Sequence, residues 1–199
     1  MLHVRPATPA DEQVIIGFID EAAGWLAGKG TDQWAKPWPS LDERDRRVRR
    51  GIRDHCTWMV EDDGIPVATV SCRPLGNREL WTEAELAEPA VYVSRLIVRR
   101  GHGGQDLGTE LINWAGLWAA RQYGARWIRI DVWTTNEPLH KFYEKRGFVF
   151  CRVADAVDYP SARLFAKPTD SITVADVPRL REEPALRQPD DSSAPAQTG

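Results

Sequence analysis

Residues 91–148 read VYVSRLIVRRGHGGQDLGTELINWAGLWAARQYGARWIRIDVWTTNEPLHKFYEKRGF. The first eight are β-branched and apolar enough for a strand, and the basic, glycine-rich run 99–108 turns the chain. Leu107, Leu111, Trp114, Ala115 and Trp118 then recur at helical spacing, and Gly124 stops the run. A second strand over 126–133 ends in Asp131-Val132-Trp133, and a helix is expected over 137–146, just past Asn136. A glycine-rich turn between a strand and a helix leaves backbone N–H groups unpaired and aimed one way. The helix dipole adds to their field, so such a turn suits a phosphate. Asn136 and Tyr143, past the next strand, are placed to meet whatever the phosphates are attached to.

This order of elements resembles the GNAT family of N-acetyltransferases. The residues that carry the likeness are Leu96-Ile97-Val98 on the strand and Gly103-Gly104-Gln105-Asp106-Leu107-Gly108 in the turn, then Asn136, Tyr143 and Gly147-Phe148. The family's loop runs Gln or Arg, two residues, Gly, one residue, Gly or Ala. Here Gly103 holds the first of these positions, Asp106 stands where the first Gly belongs, and Gly108 fits. The likeness covers residues 2–167 and is sharpest over 91–148. It implies an α/β fold, the GNAT fold, with a mixed central sheet of about seven strands flanked by about four helices. It also implies acetyl-CoA as co-substrate, bound along Leu96, Ile97 and Val98, by Gly103 through Gly108 with Thr109, and by Asn136. Tyr143 is implied as the general acid.

Beyond this stretch, 199 residues with 42% hydrophobic content suffice for one domain with its own core. A net charge of −3 argues against a general nucleic-acid or anionic-membrane partner, which needs a positive field. Cys56, Cys72 and Cys151 are odd in number and far apart, which suggests neither disulfides nor zinc and fits a reducing cytoplasm. No metal-ligand spacing joins His3, His55, His102 and His140. A cytoplasmic protein without a membrane segment is expected, and a homodimer is open as an assembly.

Residues 2–6 read as a strand, and Thr8, Pro9 and Asp11 open a first helix whose apolar positions run from Ile15 to Leu26. Ser40 and Glu43 form a capping box before a second, highly charged helix to residue 53, whose arginines read as a solvated face. Strands over 57–61 and 67–73 flank Asp62-Asp63-Gly64, a hairpin turn, and 74–88 reads as a loop. Strands near 148–153 and 161–167 close a domain of residues 1–167. From 168 to 199 the chain is rich in Pro, Asp, Ser and Gln, which predicts a mostly flexible tail, with Ile172-Thr173-Val174 able to dock locally.

Acetyl transfer from a thioester to an amine needs a held donor, a neutral amine and a proton for the departing sulfur. A phenol titrates near 10 and a thiol near 8.5, so Tyr143 keeps a proton to offer at pH 7. From spacing alone Tyr143 reads equally as a packing residue, and Asn136 equally as a helix cap before Pro138. Tyr92 and Ser94 occupy the inward positions where many family members carry a glutamate base. Others place it on the following strand twelve residues before the tyrosine, where this chain has Asp131. Asp131 reads as either a base or a strand-end carboxylate paired with Arg129 or Arg95, and Glu83, Glu85 and Glu88 as bases through water. Deprotonating an amine of pKa near 8 at pH 7.5 costs under about 1 kcal/mol, against about 4 kcal/mol for a lysine-like amine, so a weak base favours the less basic acceptor.

The resemblance implies that the acceptor is bound by the loop after the first helix and by the faces of the two strands: Asp32 is expected to face an ammonium, Trp34 and Trp38 to form a wall, and Gln33, Tyr92, Ser94 and Trp133 to contact the acceptor. Trp25, Trp114 and Trp118 read as core, and Trp81 as a ligand candidate. Asp106 is expected to oppose the charge of a pyrophosphate, so that removing it tightens acetyl-CoA. The expected activity is acetylation of a primary amine, that of a small molecule, by direct attack in a ternary complex. Acetylation of a protein N-terminus and a non-catalytic CoA-binding sensor are the alternatives.

Overall fold

Alternation along the first strand, with Leu2 and Val4 buried and His3 exposed between them, starts the sheet. The computed structural model describes residues 1–104, 106–155 and 158–182. β1 (Leu2–Pro6) leads through a 3-10 turn, Pro9–Asp11, into α1 (Glu12–Ala27). The turn is tied down by Asp11, whose carboxylate accepts from Thr8 N at 2.7 Å and pairs with Arg5 at 2.8 Å. α2 (Leu41–Arg53) starts where Ser40 Oγ accepts from Glu43 N at 3.2 Å. β2 (Thr57–Asp62) and β3 (Ile65–Arg73) form the expected hairpin, with Asp63 and Gly64 both at positive φ as a type I′ turn requires.

Within the stretch expected as a loop, α3 (Glu83–Leu86) is a single turn held by the reciprocal cap of Thr82 and Glu85. Four residues are too few to show a helical period, which is why the sequence hides it. β4 (Ala90–Val98), α4 (Leu107–Tyr123), β5 (Trp127–Val132), α5 (Glu137–Glu144), β6 (Val149–Val153) and β7 (Arg163–Pro168) follow.

The sheet has eight strands rather than seven, in the order β6-β7-β5-β4-β3-β2-β1-β8. The extra strand, β8 (Leu180–Glu182), corrects the expectation for the C-terminal segment: the chain does not leave the fold at Pro168. Two 3-10 turns carry it back to the sheet, and Leu2, His3 and Val4 of β1 pair in parallel with Leu180, Arg181 and Glu182. Ile172, Val177 and Leu180 are buried in the main core, so apolar residues sparse in a polar sequence are enough to dock it. The rest of the expected tail, 183–199, lies outside the described residues.

Alternate residues of β2 face opposite cores. Trp58 and Val60 join the cluster under α4, where Trp58, Trp114 and Trp118 meet with ring centroids 5.1 to 6.0 Å apart, while Met59 between them joins Phe18, Ile19, Val48 and Ile52 of α1 and α2. Thus α1 and α2 cover one face and α4 the other. No helix among the described residues is long and apolar enough to cross a membrane.

One irregularity positions everything functional. β4 and β5 are parallel and pair only through Ala90, Val91 and Tyr92 with Trp127, Ile128 and Arg129. Past Tyr92 the two strands part, and on its other side β4 bulges where its register with β3 slips between Ser94 and Ile97. Arg95 sits in that bulge at φ 48.

Candidate active site

Parting the strands leaves the β5-facing edge of β4 beyond Tyr92 without a strand partner among the described residues. Such an edge can pair with the amides of an extended ligand as a further strand would. Two cavities open on it and meet there, with Gln33, Trp34, Leu96, Leu139 and Tyr143 lining both.

The larger cavity, about 1010 Å³, contains the residues expected to hold the co-substrate: Leu96, Ile97 and Val98 from β4; Gly103, Gly104, Asp106, Leu107, Gly108 and Thr109 from the turn; and Asn136. Gln105, expected beside them, lies outside the described residues. Among the described residues the N–H groups of Leu107 and Gly108, at the start of α4, find no backbone acceptor. Asp106 adopts φ 59, the left-handed conformation for which the resembled loop uses glycine and which aspartate tolerates better than most residues. Its Oδ1 accepts from Thr109 Oγ1 at 2.6 Å and from Arg146 Nη2 at 2.8 Å, and Arg146 in turn donates to Thr109. The carboxylate that replaces a glycine therefore ties the loop to α5, with these hydrogen bonds holding it below its usual pKa. Arg100 lies 3.9 Å over the ring of Trp25, which is 40% exposed on the cavity wall rather than in the core. Its place on a helix stripe concealed this. The cavity's size, its N–H groups without a backbone acceptor among the described residues, and its cations fit a pantetheine arm with phosphates.

The smaller cavity, about 590 Å³, lies on the other side of the shared residues. Tyr92, Ser94, Asp131 and Trp133 line it, and so does Tyr159. Asp131 accepts from Tyr159 Oη at 3.4 Å. Burial pushes its carboxyl up to about 6, against the Tyr159 hydrogen bond and the charge of Arg95, which pull it down. Burial likewise pushes the Tyr143 phenol up to about 12, with the nearby charge of Asp131 adding to the effect. A carboxylate that takes protons near neutrality and a phenol that keeps its proton thus share one site.

Several expectations are redirected. Asp32 does not line the smaller cavity: its Oδ1 accepts from Trp133 Nε1 at 3.0 Å and Thr135 Oγ1 at 2.6 Å, so it straps the loop to the end of β5. Beside it Gln33 Oε1 accepts from Asn136 Nδ2 at 2.5 Å, and Asn136 also caps α5 by accepting from Leu139 N at 3.1 Å. Arg129 does not pair with Asp131; it turns to Glu88, the Glu85 carbonyl and Tyr92 Oη. Glu83, Glu85 and Glu88 line neither cavity, and Trp81 is core at 3% exposure. The α2 arginines do not all face solvent, since Arg44, Arg47 and Arg50 line the smaller cavity. Their spacing of three residues is a signal that they share one helix face. For Tyr159, 28 residues from its partner, no sequence signal existed.

A family profile described as the acetyltransferase (GNAT) family matches residues 25–148. A Bacillus subtilis (strain 168) protein named uncharacterized N-acetyltransferase YesJ is 30% identical over 160 residues, 79% of this chain and 86% of that relative. A GNAT-family acetyltransferase from Listeria monocytogenes 4b F2365 superposes with TM-score 0.67 at 24% identity, covering 83% of this chain and 93% of that one. The PaiA N-acetyltransferase of Thermoplasma acidophilum, solved with coenzyme A, superposes with TM-score 0.59 at 17% identity over 84% and 99%.

Proposed function

This chain belongs to the GNAT family of acetyltransferases, and from that premise we propose that it moves an acetyl group from acetyl-CoA to the primary amine of a small molecule, by direct attack while both are bound. The observation that carries the reading is the meeting of two cavities at Tyr143, one built for a phosphate-bearing arm and the other holding Asp131. A cavity of about 590 Å³ suits a small acceptor.

Acetyl-CoA supplies the acetyl group as a thioester. Asp131, ionised above about pH 6, takes the proton from the acceptor ammonium, and the free amine then attacks. Tyr143 keeps its proton through neutral pH and offers it at Oη to the sulfur that leaves, and the second proton shed by the acceptor nitrogen as the amide forms restores the phenol. The strap from Asp32 to Trp133 and Thr135, together with the Gln33–Asn136 hydrogen bond, fixes the loop that brings Gln33 and Trp34 to the junction of the two cavities.

The test is release of CoA thiol with a panel of primary amines. Tyr143→Phe keeps the ring and removes the proton, and is expected to lower kcat by about 10 to 10³-fold with little change in acetyl-CoA affinity. Full turnover by a folded Tyr143→Phe protein would remove the tyrosine from the mechanism. Acetyl-CoA binding with no thiol release from any amine would remove the enzymatic reading.

A further inference from the structure

The smaller cavity is far more positive than an amine site needs. Six cationic side chains line it, Lys36, Arg44, Arg47, Arg50, Arg73 and Arg95, and Asp131 is its one acidic residue among those described. The five arginines converge from three elements, and Lys36 comes from the loop before α2: α2 presents 44, 47 and 50, β3 ends at Arg73, and the β4 bulge delivers Arg95.

Three of these guanidinium groups are already spoken for. Arg44 pairs with Asp20 at 2.5 Å and Asp45 at 2.7 Å, Arg47 with Glu43 at 3.0 Å, and Arg73 with Asp54 at 3.7 Å. Among the described residues the side chains of Arg50 and Arg95 make neither an ion pair nor a hydrogen bond. Arg95 is half-buried, and burial, then the charges of Arg73 and Arg47, lower it to about 10, where it is still charged at neutral pH. A sheltered cation that makes no ion pair, with Asp131 as the one acidic residue of its cavity among those described, is costly to hold. It is held here by backbone at positive φ, a conformation uncommon for arginine.

The same surroundings work against a second cation on the acceptor. The Asp32 carboxylate faces Trp133 and Thr135, and Arg47 already lies 4.9 Å over the ring of Trp38. Guanidinium groups match the planar or tetrahedral oxygens of carboxylates and phosphates with paired N–H donors.

We propose that the acceptor is an amine that also carries an anionic oxygen group, a carboxylate or a phosphate monoester, which Arg95 and Arg50 bind while the amine faces Asp131. This rests on the acetyl-transfer reading above and narrows its substrate class.

The experiment compares matched acceptors at fixed ionic strength by kcat/KM across pH: ethanolamine with O-phosphoethanolamine and β-alanine, tyramine with tyrosine, and glucosamine with its 6-phosphate. At least one anionic member should exceed its neutral partner by tenfold or more, and the phosphate and carboxylate arms say which group the site takes. In Arg95→Gln and, separately, Arg50→Gln, the ratio of anionic to neutral should fall toward one; Arg50 is an exposed residue of a regular helix where it lines the cavity, so its variant guards against misfolding at the bulge. Neutral or dicationic amines such as spermidine outrunning every anionic acceptor would overturn the proposal. A ratio unmoved by both substitutions would do so too.

If no amine releases thiol, the acetyl-transfer reading fails, and binding then judges the anion site alone. With the larger cavity saturated by CoA, inorganic phosphate or N-acetylglycine should raise the melting temperature of the wild-type protein saturably, and the rise should be lost in Arg95→Gln. No shift, or the same shift in both proteins, refutes the site.

Discussion

Asp131 must be ionised to accept a proton, yet burial holds its carboxyl up at about 6 against an ordinary 3.8. The folded state therefore binds this proton more tightly than the unfolded state does. Its contribution to stability is full below about pH 4 and is lost as pH rises through about 6. Asp131→Asn removes that loss together with the base. The variant is expected to melt above the wild-type protein at pH 7.5, to lose this advantage near pH 4, and to lose activity by about 10 to 10³-fold. The wild-type kcat/KM should rise through a limb near pH 6 that the variant lacks. Melting curves at both pH values with a pH–rate profile check this, and a variant as active as wild type would move the base elsewhere. Asp131 was legible as a candidate from its twelve-residue spacing to Tyr143. Its raised pKa was not, because that comes from burial, which exists only once folding has closed the protein around the carboxyl.

At the scale of elements, two ties hold the site together. The first links the turn before α4 to α5 through Asp106, Thr109 and Arg146. Because Arg146 already offsets the carboxylate, the expected gain in affinity from removing its charge gives way to loss of the loop's anchor. Asp106→Ala should weaken acetyl-CoA by roughly five-fold, about 1 kcal/mol, with Asp106→Asn intermediate because asparagine tolerates the same left-handed backbone. Tryptophan fluorescence titration measures this, and tighter binding would mean that charge outweighs anchoring. The second tie is the C-terminal segment. Ile172 is buried, and its Cδ1 lies 3.0 Å from where a Cβ on Gly116 of α4 would stand. Ile172→Ala should cost about 2 to 4 kcal/mol in urea unfolding. A cost near zero would mean that the segment is dispensable to the core. The helix α4 and the strands about it were plain from periodicity, whereas the docking of three separated apolar residues, Ile172, Val177 and Leu180, depends on a groove that the rest of the chain builds.

Taken as a whole molecule, two cavities that meet at Tyr143 favour a reaction in which donor and acceptor are present together. No cysteine lines either cavity, and burial pushes the Cys72 thiol far above its ordinary value. Initial-velocity lines should therefore intersect when acetyl-CoA and an amine are varied together, and parallel lines would reveal a covalent acetyl-enzyme instead. Strand, glycine-rich turn and helix over 91–148, with Asn136 and Tyr143 behind them, could be read directly, because turn chemistry and side-chain periodicity are local and each residue carries its own share of the signal. The parting of β4 from β5, the Asp32 strap, the Tyr159 contact and the convergence of Arg50 and Arg95 could not. Those depend on burial and on charges meeting across long stretches of chain, and such fields exist only once the sheet has brought distant residues together.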